Sequence, residues 1–246
     1  MTRGTHGRAA LRGVVALDGP SGTGKSTVAR KLAAALRARY LDTGAMYRAV
    51  TLAVLRAGVD LADTAAIAAV AKANVPQIGI EPMTAGGQVV RLDGVDVAEE
   101  IRGPAVTGAV SAVAGVPEVR SLLIAEQRRI IAGVVEDGGG IVVEGRDIGG
   151  VVAPNAELKI YLTASAAVRA RRRSRQDIAA GRTATVAATR ADVDRRDALD
   201  TRTTPLRPAD DAIELDSSDL NVDGVIAALL SLVDERGLRS DPAVPR

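Results

Sequence analysis

Residues Gly19 to Thr27 read GPSGTGKST and fit the phosphate-loop pattern GxxxxGK[ST] at Gly19, Gly24, Lys25 and Ser26. Each residue type in this run has a use. The glycines Gly19, Gly22 and Gly24 let successive backbone N–H groups turn inward around a polyphosphate. Pro20, Ser21, Thr23 and Thr27 complete the loop. Lys25 would reach the β- and γ-phosphates, and the Ser26 hydroxyl would ligate Mg²⁺. Val14 to Leu17 before the loop is a short buried-strand run, while Val28, Leu32, Ala35 and Leu36 recur at helical spacing after it. The order strand, loop, helix places the positive end of a helix dipole against the same anion.

A phosphate loop alone does not separate a kinase from a GTPase, a motor or another ATPase, so a second substrate has to be sought elsewhere. Two turns supply candidates. LDTGAMYR places Thr43, Tyr47 and Arg48 just after a second strand, and IVVEGRDIG places Glu144, Arg146 and Asp147 just after what reads as the central strand. Both turns fall at the carboxyl edge of the sheet, where open α/β folds bind ligands. A guanidinium fork suits a phosphate, and two of them at one edge point to a second small anion. The plainer alternatives are a surface arginine at position 48 and loop carboxylates that neutralise Arg146. A third cluster runs from Arg169, Arg171, Arg172, Arg173 and Arg175 through Arg182, Arg190, Arg195, Arg196 and Arg202. It reads as a mobile lid that clamps a transferring phosphoryl group, against the alternatives of a solvated helical hairpin or a nucleic-acid patch. Interleaved aromatics, which would favour nucleic acid, are missing.

The elements that must position these residues follow from the hydrophobic pattern. Strand-like runs at Val14–Leu17, Arg39–Leu41, Ile141–Glu144, Leu158–Leu162 and Ala212–Leu215 alternate with helical patterns, which predicts an α/β fold with a five-stranded parallel sheet covered on both faces. Helices are expected at about 45–57, 117–132 and 222–235. Residues 75–100 differ: short alternating runs around Gly86-Gly87 and Asp93-Gly94 predict a small antiparallel β insertion with a DG turn. The chain has 246 residues, a formal net charge of +2, no Cys, no Phe and no Trp. Disulfides, thiolate metal sites and cysteine nucleophiles are therefore excluded, and aromatic stacking cannot be the main way a base is read. The only histidine, His6, sits in a Gly/Arg-rich leader, and residues 1–11 and 238–246 read as loose ends. No apolar run is long enough to span a bilayer, so a cytoplasmic location is expected.

GPSGTGKST, LDTGAMYR, the EIR of Glu100 to Arg102, EGRDIG, the arginine-rich stretch after KIYLTAS, and RRDALDTR followed by Pro205-Leu206 and ADDAIELD resemble, in this order, the bacterial cytidylate kinases of the nucleoside monophosphate kinase family. The resemblance covers about residues 13–235. It implies a phosphate-loop three-layer fold with an arginine-rich helical lid, and transfer of the γ-phosphoryl group of ATP to CMP or dCMP with Mg²⁺. It further implies a cytoplasmic monomer without nucleic-acid or membrane partners. The expected division is a leader at 1–12, a core at 13–42, 105–165 and 203–237, an acceptor-binding region with the β insertion at 43–104, a lid at 166–202 and a tail at 238–246. On this resemblance ATP lies on Gly19 to Thr27, with Lys25, Arg146, Arg196 and Arg202 serving the transfer. The CMP phosphate meets Arg48 and Arg146, with Arg202 closing from the lid. Ser111, Arg120 and Asp147 read cytosine, Asp200 and Arg196 meet the ribose, and Thr43 contacts the acceptor nucleotide, with Tyr47 beside it. The segment between Asp200 and Pro205 is shorter than in the family, which leaves Arg195 and Arg207 as alternatives to Arg202. Two rivals stay open: a kinase of the same fold acting on another acceptor, and a nucleotide-gated RNA-binding protein.

Overall fold

A computed structural model describes residues 10–82, 88–179 and 207–240. The principal sheet is built from β2 (Gly13–Asp18), β3 (Arg39–Asp42), β7 (Gly140–Glu144), β8 (Leu158–Thr163) and β9 (Ile213–Asp216), in the spatial order β3-β7-β2-β8-β9 and parallel throughout. The central strand is β2, so the strand ending in Glu144 is its neighbour and not the centre. Strand β2 reads GVVALD because both of its faces are covered. Its alternation divides the interior: Val14 and Ala16 join one core cluster and Val15 and Leu17 the other.

The first cluster is closed by α2 (Thr43–Arg56), α3 (Thr64–Asn74), α4 (Pro104–Ala114) and α5 (Pro117–Glu136), and the second by α1 (Lys25–Ala35) and α7 (Val222–Glu235). Helix α6 (Ala166–Ala179) follows β8. The helix starts are set locally. Asp42, Asp63 and Asn221 accept the N–H of Ala45, Ala66 and Gly224 at 3.0, 2.9 and 2.8 Å to cap α2, α3 and α7. Pro104 and Pro117 open α4 and α5. These last two helices meet at a bend of 99° across Gly115-Val116.

The insertion is a three-stranded antiparallel sheet of β4 (Ile78–Pro82), β5 (Gln88–Leu92) and β6 (Val95–Asp96). The expected DG turn joins the last two, with φ of 52° at Asp93 and 78° at Gly94, the paired positive values of a tight hairpin. Helices α3 and α4 were not foreseen. In α3 only Ile67 and Ala71 are buried, so its alanine-rich sequence carries almost no period, and α4 mixes Gly108 with β-branched residues of low helix propensity.

The loose ends also need correction. Strand β1 (Ala10–Leu11) pairs antiparallel with β10 (Arg239–Ser240), in the register Ala10 with Ser240 and Leu11 with Arg239. Leu11 is 2% exposed and belongs to the second core. The leader thus gives up Ala10 and Leu11, and the tail Arg239 and Ser240, to the folded unit. Leu11→Ala should cost about 2–5 kcal/mol in urea unfolding, the range for emptying a leucine site in a packed core. An unchanged midpoint would return Leu11 to a mobile leader.

Candidate active site

The phosphate loop leaves the carboxyl end of β2 and enters α1 through Gly24, whose φ of 94° is left-handed. Gly19 also has a positive φ, 144°, and a Cβ there would stand 2.2 Å from the carbonyl oxygen of Leu162, so the first loop position admits only glycine. The Lys25 ammonium donates to the carbonyls of Gly19 and Pro20, both at 2.7 Å, which holds it over the loop. Thr23 is buried with its hydroxyl on Pro20 O at 3.2 Å, so its side chain braces the loop from behind.

The loop opens into a cleft of about 420 Å³. Among the described residues its lining holds six cations, Lys25, Arg30, Arg48, Arg102, Arg120 and Arg146, against three carboxylates, Asp42, Glu144 and Asp147. That excess suits two phosphate groups brought together. Of the residues expected from sequence, Ser21, Gly22, Gly24, Lys25, Ser26, Thr27, Thr43, Tyr47, Arg48, Ser111, Arg120, Arg146 and Asp147 line this one cleft. Gly19, Pro20 and Thr23 form its underlying frame. Arg196, Asp200 and Arg202, and with them Arg195, lie outside the described residues. Arg207 is exposed and does not line the cleft.

Each wall is positioned by a different element. Helix α2 brings Thr43, whose hydroxyl donates to Glu144 O at 2.8 Å, and Arg48, whose Nη1 donates to Ile101 O and Thr107 Oγ1, both at 3.0 Å. The bend between α4 and α5 turns Ser111 and Arg120 toward the same space. Arg120 Nη2 pairs with Asp147 Oδ2 at 2.7 Å, both side chains being mostly buried. Tyr47 stands by this pair; burial pushes its phenol up to about 12, Arg120 opposing and Asp147 adding to the rise.

Two carboxylates sit deeper. Asp18, the last residue of β2, accepts the N–H of Ile148 at 2.9 Å and of Gly149 at 2.8 Å, where the chain makes a π-type turn over Ile148–Val152. Arg146 Nη1 reaches back to Gly19 O at 3.3 Å. Burial pushes the Asp18 carboxyl up to about 6, the two N–H bonds and the Lys25 ammonium opposing and Asp147 adding to the rise.

Glu144 closes β7, as the strand-like run Ile141–Glu144 predicts, and at 4% exposed it is a buried strand end and not a loop carboxylate. Its Oε1 accepts the Tyr40 hydroxyl at 2.8 Å, while Oε2 has no hydrogen-bond partner among the described residues. Burial first, then the charge of Asp42, drives its titration upward against Lys25 and Tyr40. The Ser26 hydroxyl is near enough to favour the charged form, though outside hydrogen-bonding geometry to Oε2. Oε2 of Glu144, the carboxylate of Asp42 and the hydroxyl of Ser26 make an all-oxygen set of the kind Mg²⁺ takes.

The arginine cluster after β8 is divided in use. Arg169 donates to Ser21 O at 3.1 Å, and Arg172 donates to Thr23 O and Ser217 Oγ at 2.9 Å and to Ser217 O at 2.7 Å. These two hold the outer carbonyls of the phosphate loop, whereas Arg171 and Arg175 are exposed. Sequence reading missed Asp18, Asp42, Arg30, Arg102 and Thr107 as parts of the site. Asp42 and Arg102 carried a signal, since they stand inside the quoted LDTG and EIR motifs; Asp18 directly precedes the loop motif.

A parallel α/β sheet whose first long strand feeds a phosphate loop into a cationic cleft defines a phosphate-loop nucleotide-binding protein. The model of the cytidylate kinase family matches residues 15–235, and the chain belongs to that family. It is 61% identical to a cytidylate kinase of Rhodococcus jostii (strain RHA1) over 226 residues, covering 91% of this chain and 95% of the relative. It is 59% identical to a cytidylate kinase of Rhodococcus opacus (strain B4), with the same shares covered. A solved structure of an uncharacterized protein from Eubacterium ventriosum ATCC 27560 shares the fold, with a TM-score of 0.50 and 11% identity over 91% of this chain and 99% of that one. No single helix among the described residues is long and apolar enough to cross a membrane.

The titration of Asp18 fixes a pH dependence. Its folded value near 6 lies above the ordinary 3.8, so the folded state holds the proton more tightly, and the stability associated with this group falls as pH rises through that window. In Asp18→Asn the loss is absent. The unfolding free energy of wild type minus that of the variant should fall by about 2 kcal/mol between about pH 4.5 and about pH 7. A pH-independent difference would show that Asp18 is ionised throughout.

Proposed function

We propose that the protein transfers the γ-phosphoryl group of ATP to CMP or dCMP, giving ADP and CDP or dCDP, in pyrimidine nucleotide metabolism. The observation that carries this reading is one cleft lined together by the phosphate loop, by Arg48 and Arg146, and by a polar group of Ser111, Arg120 and Asp147. The family of the chain and the names of its relatives agree with it. ATP lies on the phosphate loop, with its phosphates on the inward N–H groups and on Lys25. Ser26 Oγ, Glu144 Oε2 and Asp42 would hold Mg²⁺, which would supply positive charge beside the phosphates of the bound nucleotide.

The acceptor phosphate lies between Arg48 and Arg146, and its oxygen is already anionic near neutral pH, so no side chain has to act as a strong base. The work is orientation and charge neutralisation: arginines hold two anions in line while charge spreads over the transferred group. Asp147 accepts from the exocyclic amine of cytosine while Arg120 keeps its carboxylate in place, and Ser111 meets the ring edge. A site built to pair an amine penalises a base that cannot offer one. Arg196 and Asp200 at the ribose, Arg202 as the closing clamp, a lid over 166–202 and an acceptor-binding region over 43–104 complete the proposal, in a cytoplasmic monomer without nucleic-acid or membrane partners.

The test is ADP release from Mg-ATP with CMP, dCMP, UMP, AMP and GMP at matched concentration. Selective turnover of CMP and dCMP is expected; selective turnover of another acceptor would discard Ser111, Arg120 and Asp147 as cytosine readers. Lys25→Ala should lower turnover by orders of magnitude in a folded protein. Arg146→Ala should raise KM for CMP on the order of 10- to 100-fold, as the loss of a charged hydrogen bond to phosphate predicts. Unaltered CMP kinetics in Arg146→Ala would remove it from the acceptor site.

A further inference from the structure

Among the described residues, strand β3 is an edge strand of the principal sheet and pairs only with β7. In a strand, the N–H and C=O of one residue point to the same side, and those of the next to the other. At Asp42, the last residue of β3, both point to the free edge. There they meet one side chain: the Asp42 N–H donates to Gln88 Oε1, and Gln88 Nε2 donates to Asp42 O at 3.3 Å. A primary amide carries a donor and an acceptor in one plane, and here it takes the place of the residue that a sixth strand would have supplied. Asp42 is 8% exposed, so solvent is poorly placed to satisfy these groups instead.

Gln88 is the first residue of β5 and pairs with Pro82 of β4, so this contact fastens the insertion sheet to the principal sheet at one point of the cleft. The same Asp42 caps α2 through Ala45 N at 3.0 Å and faces Arg102 Nη2 at 3.4 Å. Thr43, Tyr47 and Arg48 follow on the first turns of that helix. We propose that Gln88 is a positioning residue for the acceptor side of the cleft: its side-chain amide closes the free edge of β3 at Asp42 and so fixes where α2 begins and where Arg48 is carried. Gln88 is not among the residues that line the cleft. The proposal rests on the reading that α2 carries acceptor contacts, and it makes the β insertion a brace of that helix.

The decisive experiment compares steady-state KM for CMP and for ATP, together with thermal unfolding, in wild type, Gln88→Leu, Gln88→Glu and Arg48→Ala. Gln88→Leu keeps the bulk and removes both hydrogen bonds. It should raise KM for CMP on the order of ten-fold and leave KM for ATP nearly unchanged, because the displaced element is α2 and not the phosphate loop, and it should lower the melting temperature by a few degrees, because the Asp42 N–H and C=O are left buried and unpaired. Gln88→Glu keeps an acceptor for the Asp42 N–H but sets an anionic oxygen against the Asp42 carbonyl, and should raise the same KM. If Gln88→Leu leaves KM for CMP unchanged while Arg48→Ala raises it, the Gln88 proposal falls alone. If the KM values for CMP and ATP rise together by similar factors, Gln88 is only structural and the proposal falls. If Arg48→Ala leaves KM for CMP unchanged, the acceptor does not lie on α2, and the proposal falls with that reading.

Discussion

Asp18 joins the two loops that must act on one another. Its carboxylate is the last side chain of β2 before the phosphate loop, and both of its oxygens are spent on the N–H groups of Ile148 and Gly149, just beyond Arg146 and Asp147. Taking a carboxylate out of water is costly, and these two bonds offset part of that cost. What results is a fixed spacing between the phosphate loop and the turn that carries Arg146. Parallel pairing of β2 with β7 up to Leu17 and Glu144 sets the two strand ends level, and Arg146 on Gly19 O closes the connection from the other side. On the proposed reading this spacing is the central requirement, since in-line transfer gains its rate from orientation, and a misplacement of about 1 Å costs on the order of a hundred-fold.

Charge is arranged around this frame in layers. Glu144 and Asp42 are buried beside Lys25 and Ser26, where oxygens suit a hard divalent cation. The arginines stand further out, and each is held by something other than a ligand: Arg48 by Ile101 O and Thr107, Arg120 by Asp147, Arg102 by Asp42. A guanidinium has five N–H donors, so it can be held by one edge and still present another to a phosphate. A lysine tied in the same way would have less left to offer. Such pre-set forks lower the ordering cost when an anion arrives.

Much of this was legible in the sequence, and what was not has physical reasons. GPSGTGKST announces itself because no ordinary loop needs those glycines ahead of a lysine and a helix. The five strands were visible as apolar runs since a parallel sheet buried on both faces tolerates little else. Helix α3 hid because alanine fills its surface and its core face alike, and helix α4 because its burial pattern rests on valines and a glycine. Ser111 and Arg120 could be named only by resemblance; nothing in one sequence reveals a 99° bend that aims two successive helices into one cleft. Asp18 and Gln88 have roles made by tertiary contact across more than forty positions, a distance over which local pattern carries no information.

The arginine-rich helix α6 shows how one composition can serve two tasks. A phosphate loop directs its N–H groups inward, which forces carbonyls such as Ser21 O and Thr23 O outward, and these need donors of their own if they are shielded from water. Arg169 and Arg172 supply them, while burial lowers the titration of Arg172 against the charge of Asp216. Gly22 admits this contact: a Cβ there would lie 3.2 Å from Arg169. The helix that opens the proposed lid is thus bonded to the back of the donor loop. Any movement of its first turns has to be borne either by those bonds or by the loop itself.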